Sequence, residues 1–563
     1  MSQASQVFGR QPAATPIAVA VESTPRARGS SMARNAIIVS AAFILSRILG
    51  LGREVILANQ FGTGPEMAAY VSAFRIPDLL FMVVMSGAFG AAFIPVFAGF
   101  IAQGDRERAS RLASSILTWT GIGVLLLSGL TYLLAGPLTD LIVAPGLDPE
   151  TRDLTVKLMR ILLLSPVFLG FGIAAKGILE AQNQFTLPAI APLVYNAAII
   201  VGAAWFAPEY GIEAVAWAVI IGAFGHFAVQ VPGLIMTGFR FRPTLDRTVD
   251  GLREVLRLLG PRVVGLAAFQ LNFIAVNAFA SSTGAHDVAA INYAWQLLML
   301  PHGVLALSIS TVVFPTLAAL YGQGDREGFA RMLDRTMRPL LFLSIPASIG
   351  LLLVGRAIVT VIFQSGNFTT TSTDLVTTPL AWFAVGLVGY GVTEILTRVF
   401  YATRDTRTPV ITGVLTIVLN IILCALLIDS LGHGGLALSL SATTAAEAII
   451  LMGFLRARSG RVFAPGFLSW LGKVLMAALG MGVVIVVTVG WLNDVLASDI
   501  PLAGQLLYFA VCMGLYVLTF VYLAWALGIP ELHQSVAKVM ARVPARVRGR
   551  MTSPGAVDEQ PAA

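Results

Sequence analysis

The chain has 563 residues, of which 56% are hydrophobic and only 12% are charged, and its mean hydropathy is +0.81. Because soluble domains carry about 25% charged residues, this composition excludes a soluble protein and predicts a membrane protein. The formal net charge of +7 does not indicate nucleic acid binding, since the arginines fall in loops between apolar segments, where they would face anionic lipid headgroups.

Fourteen apolar segments follow one another along the chain, centred near residues 46, 86, 124, 167, 197, 223, 270, 304, 350, 388, 418, 444, 482 and 516. Uncharged runs such as 112–139 and 500–530 reach the roughly 20 residues that a helix needs to cross the hydrocarbon core. We therefore predict an all-α polytopic membrane protein with about fourteen transmembrane helices. Residues 1–33 are predicted to form a disordered cytoplasmic tail, and residues 531–563 a basic cytoplasmic tail.

Arginines concentrate in alternate loops. The loops after even-numbered segments contain arginines, among them Arg106, Arg247, Arg331, Arg404 and Arg456, whereas the other loops contain mostly acids or no charge. Loops rich in Lys and Arg stay on the cytoplasmic side of the membrane. This distribution predicts an even number of spans with both termini in the cytoplasm.

A short charged phrase, QGDRE, occurs at residues 103–107 and again at 323–327. The prolines that precede the two copies, Pro95 and Pro315, are 220 residues apart. A second pair of similar segments, EAQNQFTLP and YATRDTRTP, ends at Pro188 and Pro409, 221 residues apart. Each pair is separated by six spans, which predicts a parallel duplication. We expect an N-terminal lobe at 34–245, a C-terminal lobe at 246–462 around a central cavity, and two additional helices at 463–530.

The first segment, ARNAIIVSAAFILSRILGLGREVILANQFG, contains charges in an otherwise apolar sequence. Arg47 and Glu54 are nearly two helical turns apart and are predicted to share a face, while Arg53 can point into the same space. A charge inside a span is costly unless it is paired or hydrated, and guanidinium groups suit phosphates. We predict that these three residues bind an anionic substrate. The alternative is that the side chains reach toward a membrane surface.

Neutral polar residues in two later spans are further candidates. Gln270 and Asn272 in span seven, and Gln296 in span eight, either line the cavity or form hydrogen bonds between helices. Glu394 and Arg398 are four residues apart and are predicted to form a structural ion pair. Arg75 and Asp78 flank Pro77 at the start of span two and are predicted to lie near the outer surface. The isolated charged candidates within spans are Glu447, Arg356, and Lys176 with Glu180.

Signatures of an enzyme are missing from the sequence. The five histidines are scattered, the two cysteines lie in apolar runs, and no Walker phosphate-binding loop occurs. We therefore predict no metal, no cofactor and no catalytic site.

Several segments of the sequence resemble one known family. SRILGLGRE in span one, AFRIPDLL and SGAFGAAFIPVF around span two, and INYAWQLLMLPHGVLALSISTVVFPTLA in span eight are similar to the MurJ (MviN) family of lipid II flippases, within the MOP exporter superfamily. The resemblance implies fourteen helices in the bacterial inner membrane and outward transport of an undecaprenyl-pyrophosphate-linked disaccharide-pentapeptide. It places Arg47 and Arg53 in an arginine-rich cavity, with Glu54 replacing an aspartate, and implies a lipid-tail groove formed by spans thirteen and fourteen.

The sequence departs from the family pattern at four positions. Phe81 and Met82 stand where the family has basic residues, Ser86 replaces an acid, and Gln296 replaces an arginine. These departures leave the predicted fold intact and bear on which glycan is carried.

The predicted function is export of a lipid-linked anionic glycan precursor, with lipid II as the favoured substrate. The predicted partners are this substrate and membrane lipids, with cell-wall synthesis proteins as a further class. Two alternatives stay open: another lipid-oligosaccharide or cation-coupled drug exporter, and a transport-inactive scaffold for envelope synthesis. A drug exporter would be expected to use buried carboxylates, and a scaffold would be expected to tolerate loss of Arg47 and Arg53.

Overall fold

The computed structural model of the protein describes residues 27–82, 93–459, 463–497 and 501–532, and within these ranges it contains helices and no strands. The helices are α1 (Ala27–Phe61), α2 (Pro65–Leu80), α3 (Ile94–Ala102), α4 (Arg106–Leu138), α5 (Pro149–Leu162), α6 (Ser165–Ala181), α7 (Thr186–Val201), α8 (Ala207–Ala228), α9 (Val231–Met236), α10 (Leu252–Thr283), α11 (Ala285–His302), α12 (Ser308–Gly322), α13 (Arg326–Phe363), α14 (Thr370–Ala402), α15 (Arg407–Ser459), α16 (Phe467–Leu496) and α17 (Leu502–Ala526). Short π-helical turns at 139–143, 202–206 and 303–307 extend α4, α7 and α11.

Nine helical segments of the described chain are long and apolar enough to cross a membrane, which confirms the all-α polytopic class. Two of them exceed 50 residues, and each is interrupted by a glycine with positive φ, Gly211 (63°) or Gly432 (54°). Each glycine divides its segment into two parts that are individually long enough to cross. The predicted second span runs through residues 83–92, outside the described residues, so the count of fourteen stays a prediction.

The two QGDRE copies form the same structure. Asp105 accepts a hydrogen bond from the backbone N–H of Arg108 at 3.0 Å and begins α4, and Asp325 accepts one from Gly328 at 2.7 Å and begins α13. Both are N-caps, in which a short acidic side chain satisfies a free backbone donor. The phrase is therefore a turn followed by a helix start.

Other features recur at the same spacing. The kinks at Gly211 and Gly432 are 221 residues apart, and so are Asn183 and Arg404, which both have left-handed φ values near 61°. L-residues rarely adopt that conformation outside turns. These correspondences support the predicted duplication, although the lobe boundaries stay a prediction.

The hydrophobic cores are arranged differently at the two ends of the molecule. We call the end with the QGDRE turns the inner end, and the end with the α1–α2 and α13–α14 turns the outer end. Toward the inner end, one core includes Leu112 of α4 and a separate core includes Leu333 of α13. Toward the outer end, a single core joins Leu57 of α1 to Phe383 of α14. A single core therefore joins the two halves at the outer end, whereas the inner end has two cores, the first of which also includes Leu252 and Val255 of α10.

The last two helices pack on α13, through a core of their own. Arg338 of α13 forms an ion pair with Asp334 at 2.8 Å, and its guanidinium lies 5.1 Å from the ring centre of Trp470 of α16. Helix α1 begins at Ala27, so part of the segment 1–33 that was predicted to be disordered is helical; its Ala, Met and Arg residues favour a helix. Residues 1–26 and 533–563 lie outside the described residues.

Candidate functional site

A cavity lies between helices of both halves, toward the inner end. It has a volume of about 510 Å³ and is lined by α1, α6, α7 and α11. Most of its wall is apolar. Its polar lining residues are Ser46, Arg47, Arg53, Glu54, Lys176, Glu180, Asn196 and Gln296.

Arg47 projects from α1 into this cavity and is exposed there. Its guanidinium lies 5.3 Å from the ring centre of Phe43, a cation–π contact on the same helix. Within the described residues no hydrogen bond or ion pair involves Arg47. Its donors are therefore available to a ligand.

Arg53 lines the same cavity but already has partners. Its Nη2 atom lies 2.6 Å from Oε1 of Glu54, and its Nη1 donates to Oδ1 of Asn196 on α7 at 3.2 Å. Glu54 is buried, with 6% of its surface exposed. Arg47 and Glu54 both line the cavity, in agreement with a shared face, and Glu54 forms its ion pair with its sequence neighbour Arg53. The hydrogen bond from Arg53 to Asn196 connects α1 to α7, and the Glu54 carboxylate offsets one positive charge of the cavity.

Three lining residues were weakly predicted or missed. Asn196 was not singled out, and the available signal was a lone asparagine in the apolar run APLVYNAAII. Lys176 and Glu180 on the last turns of α6 had weak support, yet both line the cavity. Their Nζ–Oε1 distance is 3.8 Å, which is too long for a hydrogen bond.

The neutral candidates separate into two groups. Gln296 lines the cavity, whereas Gln270 and Asn272 are not among its lining residues. Asn272 is buried and accepts a hydrogen bond from Nδ2 of Asn420 at 2.8 Å, and Oδ1 of Asn420 accepts one from Ser439 at 3.0 Å. Of the two predicted roles, lining the cavity or forming a hydrogen bond between helices, Asn272 has the latter, because it connects α10 to α15.

The predicted structural pair is confirmed. Arg398 donates through Nε to Oε1 of Glu394 at 3.1 Å, and Ser310 donates to the same oxygen at 3.0 Å. Neither charged residue lines the cavity. Of the departures in span two, Phe81 packs against the inner core of the first half, and Ser86 lies outside the described residues.

The outer end of the molecule is closed by hydrogen bonds between the α1–α2 turn and the α13–α14 turn. The backbone N–H of Asn367 donates to the carbonyl of Asn59 at 2.8 Å, and the side chain of Asn367 donates to the carbonyl of Gln60 at 2.6 Å. The hydroxyls of Thr63 and Ser372 lie 2.9 Å apart. A fourth bond runs from Asn59 to Ser365 at 3.0 Å. We call this set of contacts the outer clasp.

An aromatic cluster lies directly under the outer clasp. The hydroxyl of Tyr293 donates to the carbonyl of Gly62 at 3.2 Å, and its ring packs against Phe363 and Phe368 with centres 5.1 and 5.5 Å away. All three rings are almost completely buried. This cluster belongs to the buried core that joins the two halves at the outer end.

Metal-ligand geometry does not occur in the described part of the chain, where no three His, Cys, Asp or Glu side chains group together. The free cysteines Cys424 and Cys512 are buried. The chemistry available at the cavity is therefore ionic and hydrogen bonding.

Comparisons with known proteins agree on one family. A family model described as "Lipid II flippase MurJ" matches residues 57–501. The lipid II flippase MurJ of Burkholderia cenocepacia is 30% identical over 459 residues, which cover 79% of this chain and 88% of that protein. The probable lipid II flippase MurJ of Buchnera aphidicola subsp. Acyrthosiphon pisum is 31% identical over 419 residues, which cover 74% and 82%.

Solved structures give the same picture. A structure described as lipid II flippase MurJ in an inward closed conformation superposes with a TM-score of 0.73 at 26% identity, over 87% of this chain and 99% of that chain. An inward-facing MATE family transporter of the MOP superfamily gives a TM-score of 0.64 at 17% identity, over 75% and 98%. The second similarity concerns the fold alone.

Proposed function

The chain belongs to the MurJ family of lipid II flippases, and from this premise we propose that it carries a lipid-linked anionic glycan precursor, lipid II, outward across the cytoplasmic membrane. It is a multi-pass transporter and not an enzyme. One observation supports the proposal above the others: a cavity with exposed Arg47 lies toward the inner end, whereas hydrogen bonds and a buried core join the two halves at the outer end.

The chemistry of the substrate explains the need for fixed cations. A pyrophosphate carries about two negative charges, and burying a charge in hydrocarbon costs several kcal/mol unless it is paired or hydrated. In the cavity, the guanidinium of Arg47 can pair with the pyrophosphate, and most of the remaining wall is apolar. When the inside of the membrane is negative, the outward movement of an anion is favourable by about 2.3 kcal/mol per charge per 100 mV. The membrane potential therefore favours release outside.

Alternating access requires the closed end to open. In the proposed cycle the outer clasp and the Tyr293 cluster separate while the two inner cores come together, so that the head bound near Arg47 is released outside. The hydrogen bonds of the outer clasp join the first half of the chain to the second. They are therefore the contacts that an outward-open state must break.

The remaining parts of the assignment are also proposals. We place both termini in the cytoplasm, on the side of the arginine-rich loops, and assign residues 34–245 and 246–462 to two lobes. The segment 463–530, which contains helices α16 and α17 and packs on α13, is proposed to form a groove for the lipid tail. Proteins of cell-wall synthesis remain a proposed class of partner.

A replacement experiment tests the function. Cells depleted of their own lipid II flippase are supplied with this gene, and lipid II at the outer face is measured with an impermeant enzyme that cleaves it. We expect the wild-type chain to restore export and Arg47→Ala to abolish it at equal expression. Arg47→Lys is expected to restore export partly, because an ammonium replaces a two-pronged donor. Normal export by Arg47→Ala would refute the assignment of Arg47 and favour the scaffold.

A different lipid-linked glycan is the second candidate, and one observation favours it. Gln296 lines the cavity at a position where the family has an arginine, so the described lining has one cation fewer than the family pattern. A drug exporter driven by cations has less support, because the buried carboxylate Glu54 is paired with Arg53. Substrates with other sugars, compared in the same cells, would separate these candidates.

A further inference from the structure

The charges of the cavity do not all remain available to a substrate. Its described lining contains three cations, Arg47, Arg53 and Lys176, and two carboxylates, Glu54 and Glu180. The buried carboxylate of Glu54 is held by Arg53 at 2.6 Å, with a second contact from Nε at 3.2 Å. Of these three cations, Arg47 and Lys176, on two different helices, are the ones that no described carboxylate holds within hydrogen-bond distance.

Among the described residues, Lys176 forms no hydrogen bond that would hold its ammonium group in place. Its neighbours on α6, Ala175 and Ile178 among them, are buried in the protein, whereas half of the Lys176 side chain is exposed and faces the cavity. Its contact with Glu180 is long, at 3.8 Å. A lysine that precedes its acid by four residues is also the weaker order of such a helical pair. The ammonium group therefore keeps its three donors for another partner.

We propose that Lys176 is the second cation of the substrate site, so that Arg47 on α1 and Lys176 on α6 together bind a pyrophosphate. This inference rests on the proposed function. A lipid head group with two linked phosphates has one phosphate for each of the two cations, whereas Arg47 alone would suffice for the single phosphate of a phosphodiester. Lys176 also supplies, from α6, the positive charge that is missing on α11, where Gln296 stands. The substrate class is then a pyrophosphate-linked lipid, in spite of that departure.

A binding experiment on the full-length chain in lipid nanodiscs tests the proposal. Inorganic pyrophosphate and orthophosphate are titrated calorimetrically into the wild type, Lys176→Gln, Lys176→Arg and Glu180→Gln. Lys157→Gln is the matched control, because Lys157 also pairs with a glutamate, Glu213, but lies outside the cavity. Thermal unfolding of each variant shows that it is folded, and lipid II export is measured in cells.

We expect Lys176→Gln to weaken pyrophosphate binding by about tenfold or more, the effect of losing a charged hydrogen bond, and to weaken orthophosphate binding less. Lys176→Arg and Lys157→Gln should bind as the wild type does, and Glu180→Gln at least as tightly. If folded Lys176→Gln binds pyrophosphate as well as the wild type, while the wild type exports lipid II, the inference about Lys176 is wrong and the proposed function stands. If the wild type neither binds pyrophosphate nor exports lipid II, both are wrong.

Discussion

A covalent lock on the outer clasp would test whether the outer end opens during transport. Thr63 and Ser372 lie on opposite sides of the clasp, are both buried, and have hydroxyl oxygens 2.9 Å apart. Two cysteines at these positions would bring their sulfur atoms within a small rotation of the disulfide bond length of about 2.05 Å. The variant Thr63→Cys/Ser372→Cys is made in a background in which Cys424 and Cys512 are replaced by alanine.

The structure sets the size of the expected effect. Four hydrogen bonds join the two turns, and at about 1 kcal/mol each they favour the closed outer end by roughly 4 kcal/mol, or about a thousandfold. That preference is reversible, so the wild type can still open. A disulfide removes the open state from the equilibrium. Conversely, Asn367→Ala removes the one side-chain bond to Gln60 and should raise the open population by about fivefold.

Export of lipid II is measured in depleted cells after mild oxidation and again after reduction. We expect the oxidised double-cysteine variant to lose export and the reduced variant to regain it. The controls are the single variants Thr63→Cys and Ser372→Cys in the same background, which have one thiol at the outer clasp and cannot form the cross-link. Normal export by the fully cross-linked Thr63–Ser372 variant would refute the idea that the outer clasp must separate.

Three further predictions follow from the site. Gln296→Arg restores a cation to the cavity wall and should increase lipid II export, measured in the same cells; no change would indicate that Lys176 already supplies the needed charge. Asn420→Ala leaves buried partners on α10 and α15 unsatisfied and should lower the free energy of unfolding by about 1–3 kcal/mol, seen by thermal unfolding. Glu394→Gln, which removes a charge outside the cavity, should change that free energy by less than about 1 kcal/mol and leave export unchanged.

The helical class and the internal duplication could be predicted from sequence because they depend on local signals. Runs of apolar residues define spans, and the repeated N-cap aspartates Asp105 and Asp325 begin the equivalent helices α4 and α13. The kinks were harder to predict, since Gly211 and Gly432 interrupt continuous apolar runs and differ from other glycines only in their φ values. Spacing along the chain does not reveal which glycine adopts a left-handed conformation.

The pairing of charges could not be predicted, because it depends on side-chain direction and on distant helices. Helical periodicity predicted that Arg47 and Glu54 share a face, and both line the cavity, but it did not reveal that Glu54 pairs with Arg53 or that Asn196 of α7 accepts a hydrogen bond from Arg53. This pairing changes the expectation for Arg53→Ala. That variant would leave Glu54 as a buried, unpaired carboxylate, which typically costs 3–5 kcal/mol, so loss of export would be accompanied by loss of stability.

Arg47 and Arg53 therefore differ in role although both line one cavity. Arg53 uses three of its five N–H donors on Glu54 and Asn196, so a substrate must compete with Glu54 for its charge. Arg47 faces no such competition among the described residues, and Lys176 faces little, since its carboxylate partner is 3.8 Å away. An anion entering from the inner end should therefore meet Arg47 and Lys176 first. The distribution of carboxylates around the cavity, more than the number of cations, decides where the head can bind.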